Sequence, residues 1–227
     1  MSRYDRLLQL STFSKEKLEL LRSKEVLIIG AGGVGQHVAT YLVINGIKNL
    51  TIVDFDKVEL SNLNRQILLT EKDIGRLKVD VVKKALESRN SEANIKAINE
   101  KVTSDNIFSI TKNFKIIVDA VDNWETKLLI AKAAKEQNAL FLHVGVDGSS
   151  GQFCLFKEYS LLDLVDGSIV KEKRDGVMGP MVGLLSSMAS LHLLRYLAGE
   201  NVETDTLFSF NQETNIVSKV KLWLKTL

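Results

Sequence analysis

The stretch Val26-Leu27-Ile28-Ile29-Gly30-Ala31-Gly32-Gly33-Val34-Gly35 decides the fold: a short apolar run enters a glycine turn, and an amphipathic stretch follows it. The run suits a buried strand, the glycines let backbone N–H groups approach phosphate oxygens, and the following helix offers an N-terminus whose dipole favours an anion. Asp54 lies nineteen residues beyond Gly35, at the end of the next apolar run, where a carboxylate can accept from ribose hydroxyls. Four glycines at 30, 32, 33 and 35 are more than a tight strand-to-helix turn requires, so the segment reads as a nucleotide site.

Outward from this unit, apolar strand candidates recur at 50–53, 94–98, 115–119 and 139–144, and helical periodicity fills the gaps at Val34–Ile44, Lys78–Ser88 and Glu125–Glu136. Strands alternating with helices imply an α/β fold, a doubly wound, Rossmann-like and mostly parallel sheet. A further helix is expected around Ser14–Arg22. From Gly148 the pattern changes to a strand-like Phe153–Lys157, a charged loop from Glu158 to Asp175 expected to be mobile, and a helix from near Pro180 to Ala198. Thr206–Phe210 and Ile216–Leu224 read as an antiparallel hairpin, a C-terminal extension of the sheet. One domain over 1–227 is expected: an arm and helix at 1–23, the Rossmann-like core at 24–147, and a loop, helix and final strands at 148–227.

The 227 residues are 45% hydrophobic, enough for one sizeable core. Thirty basic and 28 acidic residues nearly cancel, which argues against nucleic-acid or membrane partners and leaves charge-driven chemistry to local clusters. The N-terminus is charged and lacks a signal-peptide core, and Gly176–Leu194 is interrupted by serines and His192, so a cytoplasmic location is expected. The one cysteine, Cys154, sits between Phe153 and Leu155 and reads as buried core.

In an open α/β sheet ligands bind beyond the carboxyl ends of the strands, where the glycine turn, Asp54 and Asp119-Ala120-Val121-Asp122-Asn123 all emerge. Asp122 beside a polyphosphate is a natural magnesium ligand. Asp122 or Asn123 equally suits a helix cap, and the two roles are compatible. His37 and His192 lie on helices and share no metal-ligand spacing with His143, which reads as a structural histidine near the site. Trp124 reads as packing.

The segment Asp54-Phe55-Asp56-Lys57-Val58-Glu59-Leu60-Ser61-Asn62-Leu63-Asn64-Arg65-Gln66 is more than a dinucleotide site needs. Together with Arg3-Tyr4-Asp5-Arg6, Gly75-Arg76-Leu77-Lys78, Asp119–Asn123 and Asp175-Gly176-Val177-Met178-Gly179-Pro180, it resembles the ThiF/MoeB/HesA family, relatives of the ubiquitin-activating enzymes, over nearly the whole chain. The resemblance implies binding of ATP and Mg2+ and adenylation of the C-terminal glycine of a small ubiquitin-like sulfur carrier protein ending in Gly-Gly, with release of pyrophosphate. It further implies that Gly33 touches the nucleotide, Asp54 holds the ribose, and Ser61, Asn62, Leu63, Asn64 and Arg65 line the phosphates. Lys78 contacts them, Asp122 and Asn123 sit at magnesium and nucleotide, and Arg6 reaches the partner's ATP across a homodimer. From the residues alone, Lys78 would be a solvated helix residue and Arg6 an exposed tail.

The chain departs from the family in two places. Many relatives carry two Cys-x-x-Cys pairs for a structural zinc; none is present, so no zinc is expected, with the hairpin and apolar packing in its place. Some relatives carry a nucleophilic cysteine before Gly-Val-x-x-Pro; here that stretch is Lys171–Asp175, and Glu172 cannot serve as a thiolate. The reaction is therefore expected to stop at the acyl-adenylate, with sulfur from a separate donor. Thiamine and molybdopterin synthesis both fit; the alternatives are peptide adenylation, non-catalytic binding of carrier or nucleotide, and an NAD-dependent oxidoreductase.

Overall fold

A computed structural model describes residues 2–165 and 176–222. An eight-stranded sheet runs in the order β3-β2-β1-β4-β5-β6-β7-β8. Its first five strands in space are parallel: β1 (Glu25–Ile29), β2 (Asn49–Val53), β3 (Asn94–Ile98), β4 (Ile116–Asp119) and β5 (Leu140–Asp147). The antiparallel extension consists of β6 (Ser150–Phe156), β7 (Thr206–Asn211) and β8 (Ile216–Lys221). The expected doubly wound sheet with its antiparallel C-terminal part is the one observed.

Alternation along β1 builds two cores. Val26 and Ile28 face a cluster completed by α3 (Gly33–Ile44), α4 (Lys78–Arg89) and α7 (Gly179–Leu197), whereas Leu27 and Ile29 face one completed by α5 (Ile107–Thr111) and α6 (Trp124–Glu136). The N-terminal segment adds α1 (Asp5–Leu8) and α2 (Lys15–Arg22); Ser14 caps α2 by accepting the N–H of Lys17 (3.4 Å). Pro180 occupies the first turn of α7, where a missing N–H leaves no bond unmade.

Several boundaries differ from the sequence reading. The fifth strand continues to Asp147 and meets β6 at Ser150, so the change of pattern at Gly148 is a hairpin turn with Gly148 at φ +51°. β6 accordingly starts before Phe153. Short helices at Asp5–Leu8 and Ile107–Thr111 went unread because neither is long enough to display a period. The loop from Glu158 is ordered at its start: Leu161–Leu164 forms a 3-10 turn capped by Ser160. The rest of the expected mobile segment, 166–175 including Glu172, and the end of the last strand lie outside the described residues.

In the hairpin expected to take the place of a zinc staple, Phe208 and Phe210 of β7 pack on the core, whereas every residue of β8 is exposed and one polar tie fastens the strand ends. The tie is Asp205, 3% exposed and in the left-handed region at φ +53°. Its carboxylate accepts the N–H groups of Lys157 (2.9 Å), Glu158 (3.2 Å) and Tyr159 (3.1 Å). Its own backbone N–H donates to Leu155 and its carbonyl accepts from Leu222 (both 2.9 Å), so one residue joins the end of β6, the start of β7 and the end of β8. Replacing Asp205 with Ala removes the charged acceptor from three N–H groups and strains the backbone; a loss of about 3 kcal/mol in urea denaturation is expected, against a smaller loss for Asp205→Asn.

Candidate functional site

Four loops meet at the carboxyl ends of β1, β2 and β4. The first is the glycine turn. Gly30 adopts φ +106°, and a Cβ there would stand 2.5 Å from the Ala120 carbonyl oxygen; one on Gly35 would stand 1.9 Å from the Gly30 oxygen. These two glycines let the turn fold tightly and let α3 begin against β1 and the β4 loop. Gly33 is packed against Val182 and Arg65, whereas a Cβ on Gly32 would meet nothing within 4 Å. Gly32 is thus the bare side of the cradle, and the N-terminus of α3 opens beside it.

The second loop follows β2. Asp54 accepts the Ala31 N–H through Oδ2 (2.7 Å) and the Asp56 N–H through Oδ1 (2.8 Å), which locks the carboxylate to the glycine turn. Burial pushes its carboxyl above the ordinary range, against the pull of these two N–H groups and of Lys78. Each oxygen keeps a lone pair for a hydroxyl donor.

The third loop carries the basic residues. Arg65 Nη1 donates to the Ser61 carbonyl and to Asn64 Oδ1 (both 2.9 Å), leaving the remaining guanidinium donors for an anion. Ser61 and Asn64 are exposed, while Asn62 and Leu63 turn inward: Asn62 is 6% exposed and its Oδ1 accepts the Glu59 N–H (3.2 Å) of the turn, and Leu63 packs on the core. Lys78 starts α4 but is only 6% exposed, not solvated; its backbone N–H donates to the Asp56 carbonyl (2.9 Å) and its Nζ to Asp56 Oδ2 (2.8 Å). The Asp56 pairing ties the buried start of α4 to the loop that follows Asp54.

The fourth loop, Ala120–Asn123, begins where β4 ends and leads into α6. Asn123 is the cap, accepting the Thr126 N–H (2.9 Å), which leaves Asp122 exposed beside it at the helix N-terminus. Arg6, exposed on α1, donates among the described residues only to Gln9 Oε1 (3.4 Å) and joins none of the four loops within the single chain.

Three groups to which the sequence reading gave no role of their own hold this arrangement. Buried Gln36 donates to the Ala31 carbonyl (2.8 Å) and to Gln66 Oε1 (3.2 Å), and accepts the Leu68 N–H (2.9 Å), so it stitches the glycine turn to the Arg65 loop. Gly179, at the start of α7, has room for no side chain against the Asn64 carbonyl, 2.4 Å from its would-be Cβ. Asp119 and Lys127 form a buried ion pair (3.0 Å) under the fourth loop. A polar residue inside a helical pattern was the only sequence signal for Gln36 and Lys127.

The residues present fit a nucleotide triphosphate: a bare glycine face, a helix N-terminus, two basic side chains and a carboxylate for a ribose. They also fit magnesium in the shared manner. Among the described residues no three His, Cys, Asp or Glu side chains form a metal cage, and Asp122 could contribute one oxygen to an ion otherwise held by phosphate and water. Cys154 is fully buried, and burial, followed by the nearby Asp205 charge, pushes its thiol up to about 12. His192 donates to or accepts from nothing at the rim; its Nε2 meets the Glu203 carbonyl (2.7 Å), and His37 Nδ1 meets the Gly33 carbonyl (2.8 Å).

Two outcomes follow from this geometry. Gln36→Leu strands the Leu68 N–H and should cost about 2 kcal/mol, read as a lowered denaturant midpoint. Cys154 should resist a thiol reagent at pH 8 in the folded protein and react fully in guanidinium, which absorbance titration of the released chromophore would measure.

The ThiF family pattern matches residues 4–226. The sulfur carrier protein adenylyltransferase of Thermus thermophilus is 31% identical over 216 residues, covering 88% of this chain and 78% of the relative. The molybdopterin-synthase adenylyltransferase of Haemophilus influenzae is 30% identical over 200 residues, covering 85% and 82%. A probable molybdopterin-synthase adenylyltransferase of Gracilaria tenuistipitata var. liui is 30% identical over 217 residues; 92% of this chain is matched and it spans only 61% of that relative's length. In fold, E. coli MccB crystallised with ATP superimposes with a TM-score of 0.86 at 22% identity, covering 97% of this chain and 71% of that one. With a family match from end to end of the sheet, relatives at 30–31% identity and the four loops gathered at one rim, the chain belongs to the ThiF family.

Proposed function

We propose that the chain is an ATP-dependent adenylyltransferase, cytoplasmic in location, that activates the C-terminal glycine carboxylate of a ubiquitin-like sulfur carrier protein. The observation that carries this reading is the convergence, at the ends of the parallel strands, of the loops that carry Gly32, Arg65, Lys78 and Asp122: Arg65 lies against Gly33, Asp54 accepts the Ala31 N–H, Lys78 pairs with Asp56, and Ala120 lies against Gly30. The names of the Thermus and Haemophilus relatives support the same substrate class.

A carboxylate attacking an α-phosphate meets a shell of negative oxygens, so catalysis here is charge neutralisation in a fixed geometry. Arg65 grips phosphate oxygens with its planar fork, and Lys78 supplies a compact charge once Asp56 shares it with the ligand. Asp54 accepts from the ribose, the N–H groups of residues 32–35 face the phosphates while those of Gly30 and Ala31 are taken by Val53 and Asp54, Ser61 and Asn64 line the phosphates, and Asn62, Leu63 and Asn123 shape the loops that do so. A magnesium ion at Asp122 would neutralise charge on the leaving pyrophosphate.

Two further parts belong to this reading. The acyl-adenylate leaves the site without a thioester on this chain, because the one cysteine is buried and its thiol is held far from ionisation; a separate sulfur donor completes the reaction. The active form is a homodimer that holds no structural zinc. The outward Leu184 and Leu191 of α7 (39% and 60% exposed), two turns apart, support a self-association face, and Asp205 supplies the tie that a zinc staple would otherwise give.

Pyrophosphate exchange into ATP, stimulated by a small protein ending in Gly-Gly, tests the reaction: Arg65→Ala and Asp122→Ala should each lower it by roughly a hundredfold while the fold persists. Binding of nucleotide without exchange in the wild type would instead identify a binding module, and tight NADH binding without ATP binding an oxidoreductase. Subunit mixing tests Arg6. Equal amounts of Arg6→Ala and Arg65→Ala protomers, each inactive alone, should recover about a quarter of wild-type exchange, since half the dimers are mixed and one of their two sites is intact.

A further inference from the structure

Beneath the Ala120–Asn123 loop lies a charge cluster closed off from solvent. Asp119, the last residue of β4, and His143, its register partner on β5, are 0% exposed, and Lys127 of α6 is 6% exposed. Lys127 Nζ donates to both Asp119 carboxylate oxygens (3.2 and 3.0 Å) and to the Val144 carbonyl (3.1 Å), which uses all three ammonium donors. Asp119 Oδ1 also takes the Val121 N–H (3.2 Å), and Oδ2 takes His143 Nδ1 (2.7 Å).

This arrangement is expensive for a strand end. Charges removed from water are seldom repaid in stability when apolar side chains of the same size could fill the space, and β1 and β2 finish in Ile29 and Val53 without any such group. The imidazole is not a second cation: burial first, then the Lys127 charge, hold its pKa below the ordinary value against the pull of Asp119. Asp119 is pushed up by burial, but Lys127 and the His143 hydrogen bond outweigh this and keep it ionised below the usual carboxylate range. With Nδ1–H given to Asp119, His143 Nε2 is an acceptor and is left without a partner among the described residues, a further cost.

What the ion pair secures is the loop above it. Asp119 grips the chain at Val121, just before Asp122, and Lys127, one turn into α6, pulls the helix start against the strand ends through Asp119 and the Val144 carbonyl. The four residues from Ala120 to Asn123 are therefore held at both ends by one buried pair, with Trp124 laid on the His143 ring (6.3 Å between centroids) as the lid of the cluster. We propose that Asp119 and Lys127 are positioning residues: their ion pair fixes the loop that presents Asp122, so that its carboxylate meets the metal and the phosphates without searching for them. This rests on the adenylation reading above. Lys127→Arg should be tolerated, because a guanidinium also makes a two-oxygen pair with a carboxylate; Lys127→Met and Asp119→Asn should not.

The test has one arm independent of activity. In ligand-free protein, amide hydrogen exchange of the segment 119–124 should accelerate by about tenfold or more in Lys127→Met and Asp119→Asn, and remain near wild type in Lys127→Arg. In pyrophosphate exchange the first two variants should lose roughly tenfold to a hundredfold in kcat, need more Mg2+ for half-maximal rate, and keep KM for the carrier protein; Lys127→Arg should recover most of the rate. A structural ion pair alone predicts a lowered melting temperature with kcat per folded molecule and Mg2+ demand unchanged, and that result overturns the proposal. If Lys127→Met fails to fold, Asp119→Asn decides, since its amide oxygen still accepts the Val121 N–H. Should the wild type show no exchange with any carrier, the adenylation reading falls, and the hydrogen-exchange arm alone then decides whether the pair holds the loop.

Discussion

The rim of the sheet depends on one close approach of backbones. The Gly30 carbonyl lies where a Gly35 side chain would be, and the Gly30 Cα lies against the Ala120 carbonyl. Any side chain at either glycine would push α3 off β1 or lift the β4 loop, and a displacement of an ångström there would part the glycine turn from the loop that carries Asp122. Backbone packing of this kind leaves no room for compromise, because a Cβ meets carbonyl groups and not the end of a pliable side chain.

Around that contact the chain arranges polar groups so that each basic residue has a place before any ligand arrives. Arg65 is tied to its own loop through Ser61 and Asn64, Lys78 to Asp56, and Asp54 to the glycine turn. Held side chains need little reorganisation when charge builds on a phosphate, and that is the source of most electrostatic catalysis. Lys78 illustrates the arrangement: its side chain is buried, and its ammonium sits 2.8 Å from the Asp56 carboxylate.

Carboxylates also do the joining that sulfur and metal do in other small proteins. Asp205 ties three strand ends through backbone N–H groups, and Asp119 ties strand, loop and helix through Lys127, His143 and Val121. In both cases the ionised group is satisfied by several donors at once, the condition under which a buried charge is tolerated. The two ties serve different ends of the sheet: one closes the antiparallel extension and the other sits beneath the rim.

Much of this was legible in the residues. Period-two and period-3.6 patterns of buried apolar residues are local and strong, so the order of strands and helices, the glycine turn, the Asn123 cap alternative and the burial of Cys154 could all be read from the chain. Short elements such as Asp5–Leu8 and Ile107–Thr111 could not, since a single turn shows no period, and the stretch from Gly148 reads as a lead-in to a strand at Phe153 when it is the turn of a hairpin whose second strand begins at Ser150. The sequence by itself determined which residues carry charge and where along the chain they stand. Only the tertiary structure decided that Lys78 is buried against Asp56, that Gln36 joins two loops, that Asp205 closes the extension and that Lys127 crosses from α6 to β4. Most of those pairings join residues more than twenty positions apart, Lys127 and Asp119 only eight, and a hydrogen bond or ion pair is specified by distance and direction in space, which no pattern along one dimension contains.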